Sequence, residues 1–303
     1  MKPSIRQEYS GHTGSVFATA VDPDERNLYS AGDDGIAVRW DLGAADPEGT
    51  GILRTGRSIY CLEYIPGLHL LAAGSSDGTV YLADLASRSI AHTYRKTESA
   101  IYGLHYEAGR QLLWVLHAHG AISALSLPGG GETGYLRIAQ GHLRCAVPGP
   151  EPLSLLIGAS DHQILHFDAG AGQVRHQFTA HSSSVFSLLL LPDGRLLSGG
   201  RDAYLRAWDT RDGYRLLAEL PAHTFTVNGI ALSPDARYVA TAGRDKTLKI
   251  WDSATLALRK VIDAPRHQGH RHSVNRVHWL RDGSLISCSD DRRIIRWDLD
   301  FGE

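Results

Sequence analysis

The sequence predicts an all-β protein built from one repeated unit of four antiparallel strands. Two observations carry this expectation: the internal texture of one stretch, and the recurrence of its landmark residues along the chain. Residues 223–252 contain three short runs rich in β-formers: His-Thr-Phe-Thr-Val-Asn-Gly-Ile-Ala-Leu, Tyr-Val-Ala-Thr-Ala-Gly and Thr-Leu-Lys-Ile-Trp-Asp. Turn chemistry separates them. Ser233-Pro234-Asp235 fixes a backbone angle at Pro and offers a side-chain acceptor at Asp. A fourth run at residues 256–262 completes a meander.

The landmarks of this unit are His223, Thr241, Asp245 and Trp251, and the same types recur three more times. They return as His12, Ser30, Asp34, Trp40; as His181, Ser198, Asp202, Trp208; and as His270, Ser287, Asp291, Trp297. Ser/Thr precedes Asp by 4 residues and Asp precedes Trp by 6 in every case, while His precedes Ser/Thr by 17 or 18. Val16, Val185, Val227 and Val274 each stand 4 residues after the His. Trp-Asp closes four units, at Trp40-Asp41, Trp208-Asp209, Trp251-Asp252 and Trp297-Asp298. Three eroded units fill the gap, closing at Ala83-Asp84, Leu125-Ser126 and Phe167-Asp168. Successive closures lie 43, 42, 42, 41, 43 and 46 residues apart, which gives seven units.

An early Gly-His and a late Trp-Asp in units of roughly 40–45 residues resemble the WD40-repeat β-propeller family. The resemblance covers nearly the whole chain. It implies a seven-bladed propeller of four-stranded antiparallel blades, one domain over residues 1–303. Blade 1 is expected over 14–55, blade 2 over 58–95 and blade 3 over 100–138. Blade 4 departs from the pattern, because Asp161 follows His142 by 19 residues where 21 or 22 are expected. Either residues 148–152 form a shortened loop, or His142 lies outside the landmark set and Leu143 takes the Val position; the second is expected. The last unit, 273–298, lacks a fourth strand of its own. Residues 4–10 are expected to complete it and close the ring, removing exposed strand edges. A complete, free-standing propeller is expected.

Composition narrows the function classes. The net charge of -2 gives no sign of a nucleic-acid surface. Cys61, Cys145 and Cys288 lie in different units, which argues against a disulfide framework and for a reducing, cytoplasmic setting. Met1-Lys2-Pro3-Ser4 opens without the apolar core of a secretory signal, and no apolar run reaches membrane-spanning length. No phosphate loop or Cys-x-x-Cys is present, and no cofactor is expected. A monomer is expected.

The landmark residues admit two readings. A buried Trp N–H needs an acceptor. In the family the Ser/Thr hydroxyl provides it and leads on to the His and the turn Asp, so the resemblance makes these sets structural. The rival is a Ser-His-Asp nucleophilic set, but such a set is identified by geometry rather than residue type. Four copies, each with a Trp, favour the structural role. His267, His270 and His272 could hold a metal, though one belongs to a landmark set and two to a loop. Asp33-Asp34 and Asp290-Asp291 are paired carboxylates whose second member is the turn Asp.

Family resemblance places partner binding on the face around the channel mouth. Two positions per blade map there. Five residues after the His, counted by the same spacing in eroded units, stand Phe17, Tyr60, Tyr102, Arg144, Phe186, Asn228 and Asn275. One before the turn Asp stand Asp33, Ser76, Ala118, Ser160, Arg201, Arg244 and Asp290. Aromatic residues and Arg dominate interface energies. The candidate partner-binding set is therefore Phe17, Tyr60, Tyr102, Phe186, Arg201, Arg244, Asp33 and Asp290. The function expected is a non-catalytic platform for a protein or peptide. Residues 196–211 also resemble the Trp-Asp-x-Arg box of cullin-RING ligase substrate receptors, where the Arg, here Arg211, would help dock the adaptor. An enzyme or small-molecule binder using the channel mouth is the third reading.

Overall fold

A computed structural model of the chain describes residues 1–300. It holds seven four-stranded antiparallel sheets, the blades of a propeller. Six are sequential meanders, such as Val16–Val21, Asn27–Gly32, Ile36–Asp41 and Thr50–Arg54 in blade 1. The seventh runs Lys2–Tyr9, Ile294–Asp300, Leu285–Ser289, Val274–Trp279 in sheet order. The N-terminal strand thus completes the last blade, as the missing fourth strand requires. Packing divides the chain into two compact units: Gly11–Ala146, and Met1–Ser10 together with the chain from Val147 onward.

The pattern of each strand follows its place in the blade. Second strands are continuous apolar runs with small residues, and Leu70–Ser75 and Leu112–His117 are buried at every position. Continuous burial over six residues between turn signals marks a strand covered on both faces. Fourth strands are the open edges: Ser89–Arg95 is almost wholly exposed and Gly131–Arg137 wholly so. Lys, Arg and Glu along such edges discourage pairing with other chains.

The cores lie between neighbouring blades. In the unit Gly11–Ala146, Leu53, Ile59, Leu62 and Leu71 fill the space between blades 1 and 2. Ile65, Leu82, Ile101, Leu113 and Leu125 do so between blades 2 and 3. In the other unit, Leu197, Leu205, Val227, Val239 and Trp251 pack between blades 5 and 6. Ile250, Val274, Trp279 and Trp297 pack between blades 6 and 7, joined by Met1 and Ile5 from the N-terminal strand.

The entry to blade 7 differs from the expected loop. Ala264–His267 forms one helical turn, capped by Asp263, whose side chain accepts from the Arg266 N–H. Asp before a Pro-containing first turn is a local helix start, and here it lengthens the repeat.

The N-terminal strand is held by two kinds of interaction. Tyr9 is 2% exposed and pairs with Ile294. Arg6 stands where the pairing register shifts, and reaches Asp282 at 2.6 Å and Asp298 at 3.0 Å, all three being exposed at the side chain. Burial should dominate over these solvent-screened pairs. Tyr9→Ala is expected to cost about 3 kcal/mol, and Arg6→Ala less than about 1 kcal/mol. Denaturant midpoints of the two variants, measured side by side, check the ranking.

Candidate functional site

The four landmark sets each converge on one hydroxyl. In blade 1, Trp40 Nε1 donates to Ser30 Oγ at 2.8 Å and His12 Nε2 meets the same oxygen at 2.8 Å. His12 Nδ1 lies 2.8 Å from Asp34. The distances repeat at Trp208–Ser198–His181–Asp202, at 2.8, 2.8 and 2.8 Å. They repeat at Trp251–Thr241–His223–Asp245, at 2.9, 2.8 and 2.9 Å. At Trp297–Ser287–His270–Asp291 they are 2.9, 2.8 and 3.0 Å. The Trp N–H can only donate, so the hydroxyl accepts it and turns its own proton to His Nε2; Nδ1–H then faces the carboxylate.

This geometry contains a Ser-His-Asp relay but denies it chemistry. Ser30, Ser198 and Thr241 are fully buried and Ser287 is 1% exposed. A nucleophile needs an open approach for substrate, and here the indole occupies it. The Asp carboxyls are structural anchors. Burial works against ionising Asp291, but hydrogen bonds from His270 and from the Arg271 and Arg293 N–H groups outweigh it and bring its pKa to about 2. Asp34, Asp202 and Asp245 are lowered by the same balance.

The anchored loop leads directly into a β-bulge. In six sheets the pairing of first and second strands skips one residue: between Val16 and Ala18, Ile59 and Cys61, Ile101 and Gly103, Val185 and Ser187, Val227 and Gly229, Val274 and Arg276. The skipped residues are Phe17, Tyr60, Tyr102, Phe186, Asn228 and Asn275. A bulge re-aims the extra side chain out of the ladder. Beside each bulge, the residue before the turn donates its N–H across to the first strand's lead-in, as Asp33 does to Ser15 O at 2.9 Å and Arg201 to Ser184 O at 2.8 Å.

In the unit Gly11–Ala146 the bulge residues form a ladder of rings. Phe17 and Tyr60 have centroids 5.6 Å apart, and Tyr60 and Tyr102 5.4 Å apart. All three are half-buried. The Arg144 guanidinium lies 4.1 Å from the Tyr102 centroid, a cation–π contact. His142 meets Tyr102 edge-on at 5.9 Å and bonds the Ala118 carbonyl. Leu143 is fully buried and begins its strand as Val16 does, so His142 stands outside the landmark sets. Burial raises the Tyr60 hydroxyl pKa, and Tyr102 and Asp33 add to the rise. Asp33 is exposed and accepts from Ser58 Oγ at 2.8 Å.

In the other unit the equivalent positions differ. Phe186 is half-buried. Asn228 donates to Ser273 Oγ and to Val274 O at 3.1 and 2.9 Å, lacing blade 6 to blade 7. Asn275 donates to Asp290 at 2.8 Å. Arg201 and Arg244 are exposed, with no ion-pair partner among the described residues.

The other candidates take internal partners. His267 pairs with Asp263 at 3.4 Å and His270 belongs to the blade 7 set, so His267, His270 and His272 are not brought onto one centre. Arg211 packs over the turn at Gly194, where an added Cβ would lie 2.9 Å from its Nε.

Sequence reasoning missed how blade 3 is rewired. Two residues before the turn Asp, blades 5 and 6 carry Gly200 and Gly243. A Cβ there would come within 2.4 Å of His181 and 2.2 Å of His223. Blade 3 has no landmark His and places His117 at this Gly position. His117 Nε2 bonds Ser123 Oγ at 2.7 Å, and Tyr94 of the neighbouring blade shares that hydroxyl at 3.0 Å. A His standing where the repeat expects Gly was the available signal.

Comparison with known proteins agrees with this architecture. The family model described as WD domain, G-beta repeat matches residues 3–41, 50–84, 172–209, 214–252 and 264–298. The chain is 28% identical over 154 residues to the target of rapamycin complex subunit wat1 of Schizosaccharomyces pombe, covering 50% of this chain and 47% of that protein. It is 26% identical over 274 residues to striatin-4 of Homo sapiens, covering 80% of this chain and 35% of that one. It is 26% identical over 321 residues to the nuclear distribution protein PAC1 of Arthroderma otae, covering 97% and 61%. The chain therefore spans less than two thirds of each relative. The WD40 β-propeller domain of Doa1 superposes with a TM-score of 0.86 at 19% identity, over 99% of this chain and 98% of that one.

Two outcomes follow from the hydroxyl hubs and from blade 3. Thr241→Val keeps the shape but strands Trp251 Nε1 and His223 Nε2, and should cost about 1–3 kcal/mol for each stranded group, read as a fall in denaturant midpoint. Burial, helped by nearby His119 and opposed by Glu132, lowers the pKa of His117 to about 4. A folded-state pKa below the unfolded value of about 6.5 gives stability that is whole above pH 6.5 and lost as pH falls toward 4. Denaturant midpoints at pH 7 and 4.5 should differ less in His117→Gln than in the wild type.

Proposed function

The chain belongs to the WD40-repeat family, and from that premise we propose that it is a non-catalytic platform that binds a protein or peptide partner. The observation that carries the reading is the ring ladder Phe17–Tyr60–Tyr102, whose members stand on β-bulges of three successive blades. Strand pairing does not consume these side chains, and aromatic residues give the most binding energy per contact. Asp33 adjoins the ladder through Ser58, and Phe186, Arg201, Arg244 and Asp290 hold the equivalent places in blades of the other unit as further contact positions. A relative whose name makes it a subunit of a complex supports a role in assembly. The balanced charge of the chain and its three cysteines, placed in separate blades, support a cytoplasmic setting and a partner that is neither nucleic acid nor membrane. The protein acts as a monomeric single domain and needs no cofactor.

Affinity capture from source-cell lysate, with wild type beside Phe17→Ala/Tyr60→Ala/Tyr102→Ala/Phe186→Ala, tests the reading. Circular dichroism must show both folded. The partner captured by wild type should bind the variant at least about tenfold more weakly. Full retention would move the contact to the blade rims or to residues 263–272.

A further inference from the structure

The ring ladder has a chemical polarity. Resting on the reading above, we propose that its occupant is a peptide segment that lays an arginine or lysine side chain on the Phe17–Tyr60 end, beside Asp33. The first ground is that the ladder already takes a guanidinium: Arg144 sits over the Tyr102 ring at 4.1 Å. The negative face of an aromatic ring attracts a cation, and arginine adds flat stacking to that attraction. The second ground is the charge at the opposite end. Asp33 is exposed, and only its Oδ1 is engaged, by Ser58; no cation of the chain pairs with it among the described residues. The third is exclusion. Arg144 repels a second cation at Tyr102, which leaves the 5.6 Å step between Phe17 and Tyr60 as the place for the incoming charge.

The same features disfavour a nucleic acid. Bases stack on aromatic ladders, but the backbone then needs cations along its path. Here the exposed end of the ladder carries a carboxylate.

The test is a selection of random peptides on the full chain by display. The enriched peptides are then synthesised with a fluorophore and titrated by anisotropy against wild type, Tyr60→Leu, Tyr60→Phe and Asp33→Asn. Circular dichroism and melting curves check each variant. The expected result is enrichment of arginine, and secondarily lysine, at one position. Binding should fall about tenfold in Asp33→Asn and in Tyr60→Leu, and survive Tyr60→Phe, which keeps the ring. Replacing the peptide's basic residue with norleucine should give the same loss. Peptides that need Tyr60 but carry no basic residue overturn this inference and leave the platform reading standing. Peptides indifferent to Tyr60, or no enrichment at all, overturn both. Tighter binding of a labelled oligothymidylate than of any selected peptide, lost in Tyr60→Leu, would replace the peptide with a nucleic acid.

Discussion

A buried indole N–H has to be given an acceptor, and much of this molecule is arranged around meeting that need. In blades 1, 5, 6 and 7 one hydroxyl on the second strand receives the Trp of the third and hands its proton to a His in the lead-in to the first. The His fixes the turn Asp, and the Asp fixes the backbone N–H groups of the lead-in, as with Thr13, Ser182, Thr224 and Arg271. Three strands and a loop are thereby held in one relation. The loop reaches the first strand at a set height, and the bulge that follows occurs at the same place in blade after blade. In these four blades the loop before the bulge is held by that network, on which the bulge residue itself makes no demand.

The eroded blades show what happens when the Trp is absent. Blade 2 carries Ser75 at the Gly position, bonding Asp77 within the turn at 2.6 Å. Blade 3 fills the space with His117 from the second strand, and recruits Ser123 and Tyr94 to satisfy it. Neither solution ties the lead-in loop through a His, yet both blades keep the bulge. The bulge therefore does not require the landmark set within its own blade; Ile59 and Ile101, which directly precede it, are buried in the cores between blades.

The fold was legible because its signals are local and repeated. Trp-Asp, the turn Asp and the Val after His mark strand ends within a few residues, and seven repetitions averaged out the eroded copies. Leu143 could be placed by that spacing alone, and it begins its strand fully buried. What was not legible depended on pairing between segments. A bulge is a mismatch between two strands, and neither strand announces it alone. The chemical replacement at His117 required knowing which ring had gone and what volume it had left. The helical turn at Ala264–His267 was written in Asp263 and Pro265, but the repeat pattern led to the expectation of an irregular loop. Of the candidate site, the aromatic positions were readable as positions, while their order as touching rings and the seat of Arg144 on Tyr102 were not.

The bulge has an evolutionary consequence. A residue inside a ladder must suit a strand, a facing pair and a packed neighbour, so its alphabet is narrow. The skipped residue has no facing pair in the ladder, though it still meets neighbours, as Asn228 does at Ser273 and Val274. Phe, Tyr and Asn all occupy it here, and the six bulges retain the same register. In these six blades that position is freer of the pairing constraint than any other residue of the first strand. Selection can therefore change the side chain at this position one blade at a time without renegotiating the strand pairing beneath it.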